Sequence, residues 1–118
     1  MPHITVDYSD AVAGTLDRRA FAQELHPLLA ELISTSASSC KTRFRRVEEA
    51  VIADGAPGNE LIHVEVAILA GRSAELKAQV AAAVVELTHK HAAAADGAVV
   101  HVSVEVRDLS PAYDKRVG

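Results

Sequence analysis

Polar and apolar residues alternate in four parts of the chain, and in two others apolar residues recur at helical spacing. From Pro2 to Tyr8, Ile4, Val6 and Tyr8 fall on one side and His3, Thr5 and Asp7 on the other, the period of a half-buried strand. A loop over Ser9 to Gly14 follows. Thr15 is then a candidate N-cap, and Leu16, Phe21, Leu25, Leu28, Leu29 and Leu32 predict a first helix to about Ile33. Pro27 inside that pattern removes a hydrogen bond and predicts a kink or two shorter pieces. After a polar turn, Ser34 to Ser39, the residues from Lys41 to about Ala53 fit an exposed strand bearing Arg43, Arg45, Arg46, Glu48 and Glu49. Two glycines and a proline between Asp54 and Asn59 break the chain near its middle. Leu61 to Leu69 alternates again, with Ile62, Val64, Val66 and Ile68 opposite His63, Glu65 and Ala67. Gly71-Arg72-Ser73 ends that strand, and Ser73 can cap a second helix whose stripe, Leu76, Val80, Val84 and Leu87, runs to about Ala95. A last strand follows Gly97, with Val100, Val102, Val104 and Val106 opposite His101, Ser103 and Glu105.

The order strand, helix, strand occurs twice, which predicts one α+β domain over residues 1–118. Its first β-α-β unit covers about 2–53, its second about 60–107, and a C-terminal tail covers 108–118. Two helices cover one face of a four-stranded sheet, and the valine and isoleucine rows suit that face. The other face would carry His3, Thr5, Asp7, His63, Glu65, His101, Ser103 and Glu105, a row that solvent, a subunit interface or a central channel would each explain. Periodicity alone leaves two arrangements open, a ferredoxin-like sandwich and two repeated units with another strand order.

At 118 residues the chain is long enough for a core without disulfides or a structural metal. Its single cysteine, Cys40, cannot pair internally, and no signal pattern opens the sequence, which points to a reducing, cytoplasmic setting. No apolar run is long enough for a bilayer, and a formal net charge of -4 disfavours nucleic acid as a partner. With two phenylalanines, two tyrosines and no tryptophan, an isolated subunit has few large core anchors, so an oligomer is expected.

The candidate chemistry begins at Met1-Pro2, a sequence from which the initiator methionine is ordinarily removed. What remains is a free secondary amine at the start of a strand. Burial and nearby cations would both lower its pKa and suit it to general-base work. Arg72 precedes Ser73 at a helix start, where free backbone N–H groups and the helix dipole favour an anion. His3, His63 and His101 share a face, so a metal site is conceivable, although hydrogen bonding across an interface is the more ordinary use. His89 and His91 read as surface residues near a helix end. Glu65 and Glu105 are explained by adjacent sheet positions, and Cys40 reads as a small buried side chain.

The segment Pro2-His3-Ile4-Thr5-Val6-Asp7-Tyr8-Ser9-Asp10 resembles the opening of the 5-carboxymethyl-2-hydroxymuconate isomerases, members of the tautomerase superfamily. Phe21 to Leu29 with its Pro27 is similar to that family's first helix. Ala53-Asp54-Gly55 and Ala70-Gly71-Arg72-Ser73 fall where the family has similar stretches, so the resemblance covers almost the whole chain. It implies a tautomerase-like fold, a homotrimer, and a small carboxylate substrate whose proton the amino-terminal proline moves between atoms of a dienol without a cofactor or metal. It also implies that Pro2 is the base and that Arg72 holds or polarises the acid. Where the family has a strand arginine this chain has Lys41, with Arg43 two residues later on the same face. Lysine supplies charge without the two-pronged grip of a guanidinium. The expected activity is ketonisation of 5-carboxymethyl-2-hydroxymuconate or a related dienol. The alternatives are a phenylpyruvate-type tautomerase, a related decarboxylase, or a non-catalytic oligomeric binding protein.

Overall fold

In the computed structural model, which describes residues 1–92 and 97–118, the elements are β1 (His3–Ser9), α1 (Arg18–Ile33), β2 (Lys41–Val47), β3 (Asn59–Ile68), α2 (Ala74–His91) and β4 (Val99–Asp108). The sheet order is β2-β1-β3-β4. β1 pairs in parallel with β2 and β3 in parallel with β4, while β1 and β3 lie antiparallel at the centre. These pairings decide between the two open arrangements. Each helix connects two strands that are direct neighbours, whereas a ferredoxin-like sheet would place another strand between them.

Alternation sorts the sheet into two faces. Ile4, Val6, Tyr8, Ile62, Val64, Val66 and Ile68 are buried against the helices. Across from them, α1 buries Phe21, Leu25, Leu29 and Ile33, one residue per turn, and α2 buries Val80, Val84 and Thr88. Phe21, fully buried, meets Phe44 of β2 edge to face at 6.3 Å. The open face carries rows set by register. Lys41, His3, Ala67 and Arg107 form one row; Arg43, Thr5, Glu65 and Glu105 the next; Arg45, Asp7, His63 and Ser103 the third.

Several boundaries differ from expectation. The first helix is capped by Asp17, whose carboxylate accepts from the Ala20 amide at 3.0 Å, while the Thr15 hydroxyl donates to Val12 within the preceding short 3-10 turn. That turn, Asp10–Val12, delays the helix start. Pro27 does not divide α1, which is continuous. Pro27 and Gln23, whose carbonyl it leaves unpaired, both lie on the exposed side, so water replaces the missing bond. β2 stops at Val47 rather than near Ala53, because its partner β1 ends at Ser9 and then turns away. The expected extension of the second helix to Ala95 lies outside the described residues. Among the described residues no helix is long and apolar enough to cross a membrane.

Candidate active site

β1 and β2 begin at one end of the sheet, and β3 and β4, running the other way, finish there. Four separate parts of the chain therefore meet at that end: Pro2, the start of β2 with Lys41, the turn after β3 with Arg72, and the segment after β4.

Pro2 is buried, and its carbonyl accepts from the Lys41 amide at 3.1 Å. With Met1 attached, the Pro2 nitrogen is a peptide nitrogen, and the Met1 amine donates to the Ser39 carbonyl at 2.9 Å. That amine is held below the usual α-amino range, first by burial and then by the like charges of Lys115 and Lys41, with Arg72 adding to the effect and Cys40 opposing it. Loss of Met1 would leave a secondary amine one residue further in, among the same cations.

Arg72 is placed by two local features. Gly71 takes φ +119°, a conformation that side chains disfavour, and Ser73 caps α2 by accepting from the Leu76 amide. The guanidinium donates to Ile33 O at 2.9 Å and to Leu69 O at 3.2 Å. Ile33 closes α1, where terminal carbonyls have no partner in the helix and the dipole is negative. Arg72 thus bridges the end of one unit to the start of the other unit's helix, with three of its five N–H donors left over.

Lys41 and Arg43 point to the open face. The Lys41 ammonium donates to Ser39 O at 3.1 Å. Arg43 donates to Thr5 Oγ1 at 3.2 Å and stands 3.5 Å from His3 Nδ1. The other ring nitrogen of His3 is 2.9 Å from the Tyr113 hydroxyl.

Five basic side chains are matched by acids: Arg45 with Asp7, Arg46 with Asp10, Lys77 with Asp108, Lys90 with Glu24, and Arg107 with Glu65. Among the described residues, Lys41, Arg43, Arg72 and Lys115 have no such partner within 4.0 Å, and neither do Arg18 and Arg19 at the start of α1 or Arg116 near the C-terminus. Lys41, Arg72 and Lys115 lie near enough to the start of the chain to lower the Met1 amine's pKa, so this end of the sheet gathers unmatched positive charge in a chain of net charge -4.

The other polar candidates are accounted for structurally. His3, His63 and His101 do not converge, because they sit on different rows and bond Tyr113, Ser103 and Asn59 respectively. His91 is not on the surface as its position suggested. Its ring meets Phe21 edge to face at 5.8 Å, and its Nε2 lies 3.4 Å from Glu24, within ion-pair range but without hydrogen-bond alignment. Glu65 and Glu105 are cross-strand neighbours, with Arg107 3.0 Å from Glu65. Cys40 is buried, with its thiol pushed up in pKa by burial. Sequence reasoning missed Tyr113 and Lys115. Ser110-Pro111 was the available signal, a turn pair that sends the chain back across the sheet end.

Two cavities, of about 500 and 280 Å³, lie toward the other end of the sheet, and neither touches Pro2. The first is bounded by Leu16 to Arg19, Ala22 and Phe44; the second is acidic, bounded by Asp10, Glu48, Glu49 and Glu60.

The model of a family described as 5-carboxymethyl-2-hydroxymuconate isomerase matches residues 2–117. A 5-carboxymethyl-2-hydroxymuconate Delta-isomerase from Escherichia coli is 29% identical over 112 residues, covering 94% of this chain and 89% of that protein. The crystal structure of a 5-carboxymethyl-2-hydroxymuconate isomerase from Deinococcus radiodurans R1 is similar with a TM-score of 0.82 and 27% identity, over 98% of this chain and 88% of that one. A fused 4-OT described as a symmetric trimer shares the fold, with a TM-score of 0.68 and 19% identity over 92% of this chain and 88% of that one.

Proposed function

The chain belongs to the 5-carboxymethyl-2-hydroxymuconate isomerase family and is an isomerase, and from that premise we propose that Pro2, freed of Met1, is its general base. The neutral amine takes the hydroxyl proton of a dienol carboxylate. The electron pair moves along the conjugated chain as the carbonyl forms, and the prolinium returns the proton to a distant carbon. Arg72 holds a carboxylate at the keto end and steadies the developing enolate charge, with Lys41 and Arg43 completing the anion site. No cofactor is needed, since the conjugated substrate itself carries the charge from the hydroxyl oxygen to the distant carbon.

The observation that carries this reading is the gathering of unmatched cations around the buried proline. Their charge favours the neutral amine and attracts the acid. The substrate class is a small polycarboxylate dienol such as 5-carboxymethyl-2-hydroxymuconate, and the setting is the cytoplasm. A homotrimer is supported by the polar open face with its ordered rows, which neighbouring subunits would cover. Lysine at position 41 favours a second reading, a tautomerase accepting simpler acids such as phenylpyruvate enol, because one strand contact loses its two-pronged grip.

The test is ketonisation of 5-carboxymethyl-2-hydroxymuconate and of phenylpyruvate enol by protein whose Met1 removal is verified by mass, beside Pro2→Ala. Loss of turnover in the variant with assembly unchanged is the expected result. Equal turnover in both forms would remove Pro2 from the mechanism.

A further inference from the structure

The segment after β4 is built into the same end of the sheet. Leu109 donates its amide to Ile68 O at 2.6 Å, extending the β3–β4 pairing by one bond. Ser110-Pro111-Ala112-Tyr113 then turns, with the Tyr113 amide donating to Ser110 O at 2.9 Å and the Ala112 amide to Ser110 Oγ at 3.1 Å. The turn carries the chain from the β4 edge across β3 to β1, a span of roughly 10 Å at two strand spacings. There the half-buried Tyr113 ring meets His3 edge on, centroids 5.5 Å apart at 72°.

The hydrogen-bond directions follow from the donors available. Arg43 can only donate, so His3 Nδ1 faces it as an acceptor and the ring proton lies on Nε2. Burial first, and then the charges of Lys41, Arg43, the terminal amine and Lys115, oppose a second proton on that ring. Nε2–H therefore donates to Tyr113 Oη at 2.9 Å, and the phenol proton is left to donate elsewhere. Two residues on, Lys115 is the cation that acts most strongly on the terminal amine, and it has no carboxylate within ion-pair distance among the described residues.

We infer that Tyr113 and Lys115 form a second carboxylate subsite beside Pro2, selecting substrates that carry an acid group beyond the one held by Arg72. The inference rests on the Pro2 reading above. In this subsite the phenol O–H donates to the carboxylate and the Lys115 ammonium supplies charge beside it, while the Arg43–His3 pair sets which way the phenol donates.

Binding tests this without turnover. Calorimetry would compare propane-1,2,3-tricarboxylate with the monocarboxylate 3-phenylpropanoate on wild type, Tyr113→Phe, which keeps the ring contact, and Lys115→Met. Each variant should bind the tricarboxylate about tenfold more weakly, the low end for losing a hydrogen bond to a charged group, and the monocarboxylate unchanged. Equal losses for both ligands would make the segment a scaffold and overturn the subsite. Unchanged binding in both variants, or a wild type with no preference for the tricarboxylate, would overturn it as well. Failure of the Pro2 reading shows separately, as undiminished turnover in Pro2→Ala.

Discussion

Arg72→Ala separates the clasp that the structure shows from the substrate-binding role proposed for the same side chain. The guanidinium closes α1 through Ile33 O at 2.9 Å and holds Leu69 O at 3.2 Å. Hydrogen bonds from a charged group contribute about 1.5–3 kcal/mol each when the partner stays dry. Leu69 is exposed and Arg72 only half-buried, so water recovers much of that, leaving a loss of about 1–2 kcal/mol. For a domain of this size that lowers Tm by roughly 5–10 °C. Its proposed role in catalysis would be larger. Two parallel charge-assisted bonds to a substrate carboxylate, about 3 kcal/mol together, correspond to roughly a hundredfold fall in kcat/KM. Arg72→Lys keeps the charge but loses the fork, and should recover about tenfold of that loss. Thermal melts at fixed protein concentration and steady-state ketonisation of 5-carboxymethyl-2-hydroxymuconate measure the two effects. If kcat/KM of Arg72→Ala stays within about threefold of wild type while Tm drops as expected, Arg72 is a helix-end clasp and the anion argument is wrong.

Phe21→Ala empties the contact among Phe44, His91 and the sheet and should cost about 3–5 kcal/mol in urea unfolding; a loss under about 1 kcal/mol would contradict the packing described. His26 and His3 both have folded pKa values below 6.5 because burial disfavours their charged forms, with surrounding cations adding to the effect at His3. The unfolded chain thus binds more protons below 6.5, so stability is full above that pH and is lost as pH falls through the folded values. Melts from pH 8 to 5 should show this decline, and His26→Gln, which can still bond Thr42, should make it shallower; a slope unchanged by that substitution would refute the assignment. Lys41→Arg should lower KM for the polycarboxylate several-fold by restoring the fork, and a raised KM would show that Lys41 does not face the acid.

How much of this was legible in the chain depended on whether the signal was local. The alternation of β1, β3 and β4 and the Ser73 cap were readable because each depends on a few neighbouring residues. The length of β2 was not, since Glu48 and Glu49 fail to extend it only because β1, 38 residues earlier in the paired register, has already ended at Ser9. Pro27 misled for a similar reason: its effect on α1 depends on which side of the helix faces water, and that is set by the sheet. Of the site, Pro2 and Arg72 carried local marks, a strand start and a Gly-Arg-Ser turn. Tyr113 carried none of its own, because its partner His3 lies 110 residues away. His91 was misplaced since proximity to a helix end indicates exposure only where nothing like Phe21 packs against that end.

The repeated units make the location of the site a matter of charge rather than of fold. β1 and β3 are antiparallel, so the start of the second unit lies at the opposite end of the sheet from Pro2 and offers nearly the same backbone frame. At that end Arg18 and Arg19 line one cavity without a carboxylate partner among the described residues, while around the other stand Asp10, Glu48, Glu49 and Glu60, with Arg46 matched to Asp10. A carboxylate approaching there meets like charge, while at the Pro2 end it meets Lys41, Arg43, Arg72 and Lys115. In the proposed mechanism the same field acts twice, drawing the acid in and keeping the amine free of its proton, so moving cations away from that end would weaken binding and leave less of the amine in its neutral, proton-accepting form at the working pH. The duplicated architecture therefore provides two similar ends, and under the proposed mechanism the distribution of charge rather than the fold selects the end at which Arg72, at the start of the second unit's helix, would serve a proline at the start of the first.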